Sequence, residues 1–98
     1  MNISLDYDDT ITRDEIAWRH FCEYFISAGH NVYIVTWRSE EEGKEIREFW
    51  SNVVTEIYCT DRVAKEKYMY SKGIRIDVWI DDNPSSILFG REASFPEM

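Results

Sequence analysis

The chain contains few of the residues that cross-link or interrupt small domains. It has two cysteines among 98 residues, Cys22 and Cys59, and neither lies in a Cys-x-x-Cys pair or has histidines at metal-ligand spacing. Two prolines and four glycines leave no segment that reads as a linker, a repeat or a low-complexity region. We therefore expect one domain over residues 1–98 with two free, buried thiols, as in a reducing compartment.

Basic residues and long apolar runs are also scarce. Eleven Lys and Arg stand against nineteen Asp and Glu, and the formal net charge of −8 argues against broad binding to nucleic acid. No apolar run approaches the roughly 18 residues of a membrane span, and the first residues lack a basic and apolar leader pattern. We expect a cytoplasmic protein without membrane contact. Aromatic residues, at 15%, make a packed core credible in so short a chain.

The apolar patterning alternates between strand and helix types. Short runs rich in Ile, Val, Tyr and Trp predict strands at residues 2–6, 32–36, 54–59 and 77–81. The segments between them have helical spacing. This order predicts an α/β fold: a minimal Rossmann-like, three-layer sandwich with a mostly parallel sheet of about four strands. A fifth strand is expected to be absent or reduced to a short piece within residues 88–95.

Capping signals predict where the helices begin and end. A capping box, in which a Ser or Thr side chain and a Glu three residues later bond each other's backbone amides, marks two helix starts. Glycines before the second and fourth strands predict left-handed helix ends, and proline favours the first position of a helix. The residues are Thr12 with Glu15, Ser39 with Glu42, Thr60 or Asp61 for a third helix running to about Ser71, Gly29 and Gly73 at helix ends, and Asn83-Pro84 at the last start.

Polar side chains follow every predicted strand. They are Asp6, Asp8 and Thr10 after the first strand, Thr36, Trp37 and Arg38 at the second, Lys65 after the third, and Asp81 and Asp82 at the fourth. Ligands of such sheets bind at the carboxyl ends of the strands, so we expect these groups to meet. Several carboxylates on one rim repel one another and need a cation, for which Mg²⁺ is the natural candidate. The added lysine and threonine indicate a phosphoryl-transfer site.

The order of these motifs resembles that of the haloacid dehalogenase (HAD) superfamily. That superfamily has Asp-x-Asp-x-Thr, then Thr or Ser, then Lys, then an acidic pair; the chain has Asp6-Tyr7-Asp8-Asp9-Thr10, Thr36, Lys65 and Asp81-Asp82. The resemblance implies a HAD-like phosphohydrolase with Asp6 as nucleophile and Asp8 as general acid/base. It implies that Thr36 and Lys65 hold the phosphoryl group, and that Asp81 and Asp82 bind Mg²⁺ beside Asp6 and the Asp8 carbonyl. Aspartate at position 9, where glycine is usual, is a familiar variant.

The same resemblance bears on how the site is covered. Cap domains of the superfamily are inserted just after the first motif or between the second and third, and neither place has room in this chain. We expect no cap domain and an open pocket. The rim residues Tyr7, Trp37 and Arg38 are then candidates for substrate binding, although Arg38 is equally suited to pair with the acidic run at residues 40–42.

Several alternatives stay open at the level of sequence. Lys67 competes with Lys65 as the phosphate-binding lysine, and Lys65 is preferred because it falls nearer the rim of the sheet. The expected substrate is a small phosphomonoester, such as a nucleotide or sugar phosphate, with a homo-oligomer as one way to close the pocket. Thr36-x-Arg38 resembles the phosphatase half of polynucleotide kinases, which makes a nucleic-acid 3′ end the alternative. A catalytically idle HAD-like scaffold and a receiver-like phosphoprotein module are the other classes, but a receiver has its acidic pair on the first strand.

Overall fold

The computed structural model of the protein describes residues 1–92, which contain one sheet of four parallel strands. The strands are β1 (Asn2–Leu5), β2 (Asn31–Thr36), β3 (Glu56–Cys59) and β4 (Val78–Ile80). Their order across the sheet is β3-β2-β1-β4, with every neighbouring pair parallel. The predicted α/β class and all four predicted strands are confirmed.

Four helices connect or follow these strands in the described part of the chain. They are α1 (Glu15–Ser27), α2 (Lys44–Trp50), α3 (Lys65–Ser71) and α4 (Ser85–Leu88), and a 3-10 turn at Ile11–Arg13 precedes α1. Gly29 and Gly73 end α1 and α3 with φ of +94° and +74°. Both left-handed ends predicted from sequence are therefore confirmed, because few residues other than glycine adopt this conformation without strain.

Helices cover both faces of the sheet. Val32 and Ile34 of β2 join Cys22 of α1 and Trp50 of α2 in one buried cluster. The alternate residues of β2, Tyr33 and Val35, join Met69 of α3 in a second cluster on the opposite face. Alternation along a strand sends successive side chains to opposite faces, so β2 is buried on both sides. Cys22 and Cys59 are free and buried, as predicted.

None of the four predicted helix starts coincides with the start of regular helix, although one predicted capping box does form. Ser39 and Glu42 do form a capping box: the Ser39 amide donates to Glu42 Oε1 at 2.9 Å and the Glu42 amide to Ser39 Oγ at 3.2 Å. Regular helix nevertheless begins only at Lys44.

At the other three predicted starts, the side chains expected to cap the helix do not do so. Thr12 does not cap α1, because its hydroxyl accepts the Asp9 amide; Asp14 caps α1 instead by accepting the Ala17 amide at 3.1 Å. Neither Thr60 nor Asp61 caps α3, which follows Ala64 and has no side-chain cap, and the Thr60 hydroxyl donates to the Val63 carbonyl. Pro84, rather than Asn83, is the residue that precedes α4.

The segments around the sheet carry no added domain within residues 1–92. Between β1 and α1 the chain makes only turns and the 3-10 turn, and between β2 and β3 it makes α2 and its flanking turns. Of the stretch predicted to hold a short fifth strand, Leu88 ends α4, residues 89–92 are not strand, and residues 93–95 lie outside the described residues. No helix in the described range is long and apolar enough to cross a bilayer.

Candidate active site

The strand order creates a natural binding place beside β1. The chain runs from β1 to β2 on one side of it, and the last described strand, β4, lies on the other, so the connections leave in opposite directions. Crevices at the carboxyl ends of such a pair are where open α/β sheets bind ligands. Asp6 follows β1 and Asp81 follows β4, and the Asp6 amide donates to the Ile80 carbonyl at 2.9 Å. The two acidic segments therefore lie side by side.

Three carboxylates meet at this crevice. Asp6, Asp81 and Asp82 each offer one oxygen, and these oxygens lie within 4.8 Å of one another. Asp6 is buried, Asp81 is half-buried and Asp82 is exposed, so one side of the cluster faces the protein and the other faces solvent. A set of hard oxygen donors open on one side suits a cation such as Mg²⁺, which keeps several waters and takes one or two carboxylates.

Lys65 lies between two of these carboxylates. Its Nζ is 2.9 Å from Asp6 Oδ1 and 2.5 Å from Asp81 Oδ2, and only 2% of the Lys65 side chain is exposed. It is the first residue of α3, which brings it to the carboxyl edge of the sheet. Lys67, the other candidate from sequence, is exposed and lines a different surface depression, beside Tyr70 and Leu88. The single positive charge of Lys65 does not balance the three carboxylates, so the cluster keeps a net negative charge.

Burial changes the acidity of Asp6. The pKa of this carboxyl is raised from 3.8 to about 7, mainly by loss of solvation and then by a hydrogen bond with Asp82, while Lys65 opposes the rise. The charged form is disfavoured because a carboxylate in a poorly hydrated place loses the stabilisation that water gives it. A bound cation would supply that missing stabilisation, and strongly shifted carboxyls in a cleft are common at functional sites.

Thr36 and Trp37 complete the floor and wall of a cavity of about 160 Å³. Thr36 is buried at the end of β2, and its Oγ1 accepts the Arg38 amide at 3.3 Å, so its own hydroxyl hydrogen is free to point to a ligand. Trp37 lines the same cavity, and its indole N–H has no hydrogen-bond partner among the described residues. The cavity is about large enough for a phosphoryl group and an ion.

Asp8 lines the cavity but its carboxylate is bound by Arg38. Arg38 Nε donates to Asp8 Oδ2 at 3.0 Å and Nη2 donates to Oδ1 at 2.7 Å. Nη1 donates to Glu45 Oε1 at 2.7 Å and to the backbone carbonyl of Glu42 at 2.9 Å. The ring of Tyr7, itself buried, lies 5.2 Å from the guanidinium carbon. Arg38 thus contacts the acidic run through the Glu42 backbone alone, and its carboxylate partners are Asp8 and Glu45.

Sequence reasoning missed two residues of the site. Ser86 is buried in α4, and its hydroxyl lies 3.3 Å from Asp81 Oδ2. Asn83 lines the cavity, and its backbone N–H donates to Asp81 Oδ1 at 2.9 Å. The Asn83 backbone N–H thus holds the Asp81 carboxylate, and the Ser86 hydroxyl, which lies 2.8 Å from the Asn83 carbonyl oxygen, is positioned beside it. The signal available in the sequence was their nearness to the acidic pair, but short polar segments after strands are too common to single them out. Thr10, a member of the first motif, donates to Asp6 Oδ2 at 3.4 Å.

Seven of the nine predicted site residues border the same cavity: Asp6, Asp8, Thr36, Trp37, Lys65, Asp81 and Asp82. Tyr7 and Arg38 lie behind Asp8 and are not among the residues that line it. None of the family models, curated proteins or solved structures compared with this chain matches it.

Proposed function

We propose that this protein is a Mg²⁺-dependent phosphohydrolase of the HAD type, acting through an aspartyl-phosphate on Asp6. The observation that carries the proposal is the convergence of Asp6, Asp81, Asp82 and Lys65 at the point where strand order reverses, with the lysine between two carboxylates. A buried lysine and a cation site beside one strand-end aspartate are what phosphoryl transfer requires. The motif order of the sequence supports the same assignment.

Asp6, Asp81 and Asp82 would hold the ion, as their oxygen donors and their open side fit Mg²⁺. When bound, the ion neutralises charge on the phosphoryl oxygens and on the carboxylates around it. Lys65 would hold a phosphoryl oxygen with its Nζ, and the Thr36 hydroxyl would donate to another. These contacts favour the transition state because its negative charge is spread over those oxygens.

The reaction would proceed in two displacements. An Asp6 carboxylate oxygen attacks phosphorus, the bond to the leaving oxygen breaks, and Asp8 gives that oxygen a proton. Water then attacks the same phosphorus, gives a proton to Asp8, and the acyl-phosphate bond breaks to restore the Asp6 carboxylate and release inorganic phosphate. Splitting one difficult step into two is the usual gain of covalent catalysis.

The substrate that fits this site best is a small phosphomonoester. The cavity of about 160 Å³ accepts the phosphoryl group and leaves the rest of the substrate at the open rim, beside Trp37. The net charge of −8 repels a long polyanion, so a nucleotide or sugar phosphate is favoured over a nucleic-acid end.

A panel of substrates tests the proposal. Phosphate release is measured for p-nitrophenyl phosphate, nucleotides, sugar phosphates and 3′-phosphorylated oligonucleotides, with Mg²⁺ or with a chelator. We expect Mg²⁺-dependent turnover of small monoesters that is lost in Asp6→Asn and kept in Glu23→Gln, a matched change of an exposed carboxylate on α1. Turnover of the oligonucleotides alone would overturn the substrate preference. No turnover of any compound by the folded, Mg²⁺-loaded protein would overturn the proposed function.

A further inference from the structure

The guanidinium of Arg38 is occupied by protein groups on several sides. It makes four hydrogen bonds, two to Asp8, one to Glu45 and one to the Glu42 carbonyl. Tyr7 packs against it, and the Arg38 side chain is only 23% exposed. A guanidinium has five N–H groups, so little donor capacity is left for a substrate phosphate.

The contact with Asp8 has the fork geometry that fixes a carboxylate most firmly. Two parallel N–H donors reach the two Asp8 oxygens at 3.0 and 2.7 Å. The Asp8 side chain is itself 52% exposed, and Arg38 is the partner that the structure gives to its carboxylate among the described residues. Without that partner an exposed aspartate would sample several rotamers, since nothing else would hold it beside the cavity.

The geometry points to Arg38 as a positioning residue for Asp8, and not as a substrate-binding residue. This inference rests on the proposed function, in which Asp8 transfers the protons. Glu45 and Tyr7 hold Arg38, Arg38 holds Asp8, and Asp8 faces the reacting groups. The supporting residues lie outside the cavity, and they matter because a proton-transfer group must be held within hydrogen-bond reach of the atom it serves.

A positioning role predicts a loss in kcat rather than in substrate affinity. With p-nitrophenyl phosphate and Mg²⁺, Arg38→Gln should lower kcat by about 10- to 100-fold, a part of the about 10²- to 10⁴-fold that an acid/base group supplies. KM should not rise, because no contact to substrate is removed. Arg38→Lys should recover only part of the loss, since one ammonium cannot replace two parallel donors. Glu45→Gln should show a smaller loss of the same kind.

A double-mutant cycle separates positioning from direct contact. If Arg38 acts only through Asp8, then Arg38→Gln placed on Asp8→Asn should change kcat little further. Arg47→Gln is the matched control, because Arg47 of α2 makes a similar forked pair with Glu40, and neither residue lines the cavity. We expect near wild-type turnover from that variant. Circular dichroism melts of each variant show that the fold is retained.

The outcomes are distinct for the two proposals. A rise in KM with kcat unchanged in Arg38→Gln, or losses from Arg38 and Asp8 that simply multiply, would overturn the positioning role and make Arg38 a substrate contact. Either result would leave the proposed function intact, because wild-type turnover would still be present. Absence of turnover in the wild type would overturn both.

Discussion

Asp6 is buried beside two other carboxylates and a lysine, and this position has a cost for the metal-free protein. Burial raises the pKa of Asp6 from 3.8 to about 7, so the folded state keeps a proton that the unfolded chain releases between those values. Stability of the metal-free protein should therefore fall as pH rises through that window. An ordinary ion-paired aspartate has a depressed pKa, and its contribution to stability is lost as pH falls. The raised pKa of Asp6 makes stability change with pH in the opposite direction.

Asp6→Asn should remove most of that slope and raise the Tm at neutral pH. The amide needs no counter-charge, and about 1 kcal/mol corresponds to about 4–8 °C in a domain of this size. Melting curves with a chelator, from about pH 4 to about pH 8, make the measurement, with Glu23→Gln as the control. A wild-type Tm that rises steadily across this range would contradict the assignment. The variant would also be inactive, so stability and activity would change in opposite directions.

Asp8→Asn should depress turnover most for substrates with poor leaving groups. The leaving oxygen of an alkyl phosphate needs a proton, whereas p-nitrophenolate leaves readily without one, and a general acid typically contributes about 10²- to 10⁴-fold. The ratio of kcat/KM for the two substrates in wild type and variant is the measurement, because kcat/KM reports the first displacement, in which the leaving oxygen departs. Equal losses on both substrates would count against the acid role of Asp8.

Asp9, Lys65 and Arg38 differ in how far their roles could be predicted from the sequence. Asp9 stands where the resembled superfamily usually has glycine, and its φ is +61°, a left-handed conformation that aspartate tolerates better than most residues. Lys65 could be preferred over Lys67 because it is the first residue of α3, and a side chain two positions further on lies on a different face of the helix. The pairing of Arg38 with Asp8 could not be read from sequence, since the two are 30 positions apart and arginine has many equally suitable carboxylates nearby.

At the scale of elements, the loop that leads into α3 is held by the segment after α4. Asp61 and Arg62 have φ of +52° and +67°, which is strained for these residues. The Arg91 amide donates to the Arg62 carbonyl at 2.8 Å, and Arg91 Nη2 lies 3.0 Å from Asp61 Oδ2. Because Lys65 follows this loop directly, the segment at residues 90–91 supports the position of the lysine.

Gly90→Ala should destabilise the protein. A Cβ at this position would lie closer than 3.0 Å to backbone atoms of Arg62, Val63 and Ala64, so the segment or the loop must move. Such overpacking typically costs about 1–3 kcal/mol. Urea unfolding is the measurement, and Phe89→Ala, an exposed neighbour, is the control that should be nearly neutral. An unchanged unfolding free energy in Gly90→Ala would contradict this close packing.

Element types were predictable from the sequence, and several element starts were not. The strands are short runs rich in β-branched and aromatic residues, and β2 is buried on both faces. Such runs favour a strand whichever elements pack beside them, so the strands could be predicted from local sequence. The start of α1 depends on which of two nearby polar side chains accepts a hydrogen bond from a backbone amide of the first turn. Thr12 is a suitable cap for α1 by its spacing, but its hydroxyl accepts the Asp9 amide instead. The turn after β1 brings these two groups together, and local sequence does not predict that contact.

At the scale of the whole molecule, the site follows from strand order and chemistry together. The alternation of strands and helices predicted that polar groups would meet at one edge of a parallel sheet, and they do so beside β1. Ser86 escaped prediction because its role depends on how α4 folds back under Asp81. Distant side-chain partners and the fold-back of a short helix are tertiary facts that local pattern does not contain.

The proposed mechanism requires Asp6 to become phosphorylated during turnover, and chemical trapping can detect that aspartyl-phosphate. Asp8→Asn should slow the release of phosphate from the enzyme, because water is no longer activated, and so allow the aspartyl-phosphate to accumulate. This variant is incubated with p-nitrophenyl phosphate and Mg²⁺, quenched, and treated with borohydride, which reduces an acyl phosphate to the alcohol. Peptide mass spectrometry should then find homoserine at position 6, and none when Mg²⁺ is chelated. Turnover accompanied by reduction at another aspartate, such as Asp81, or at none, would contradict the account.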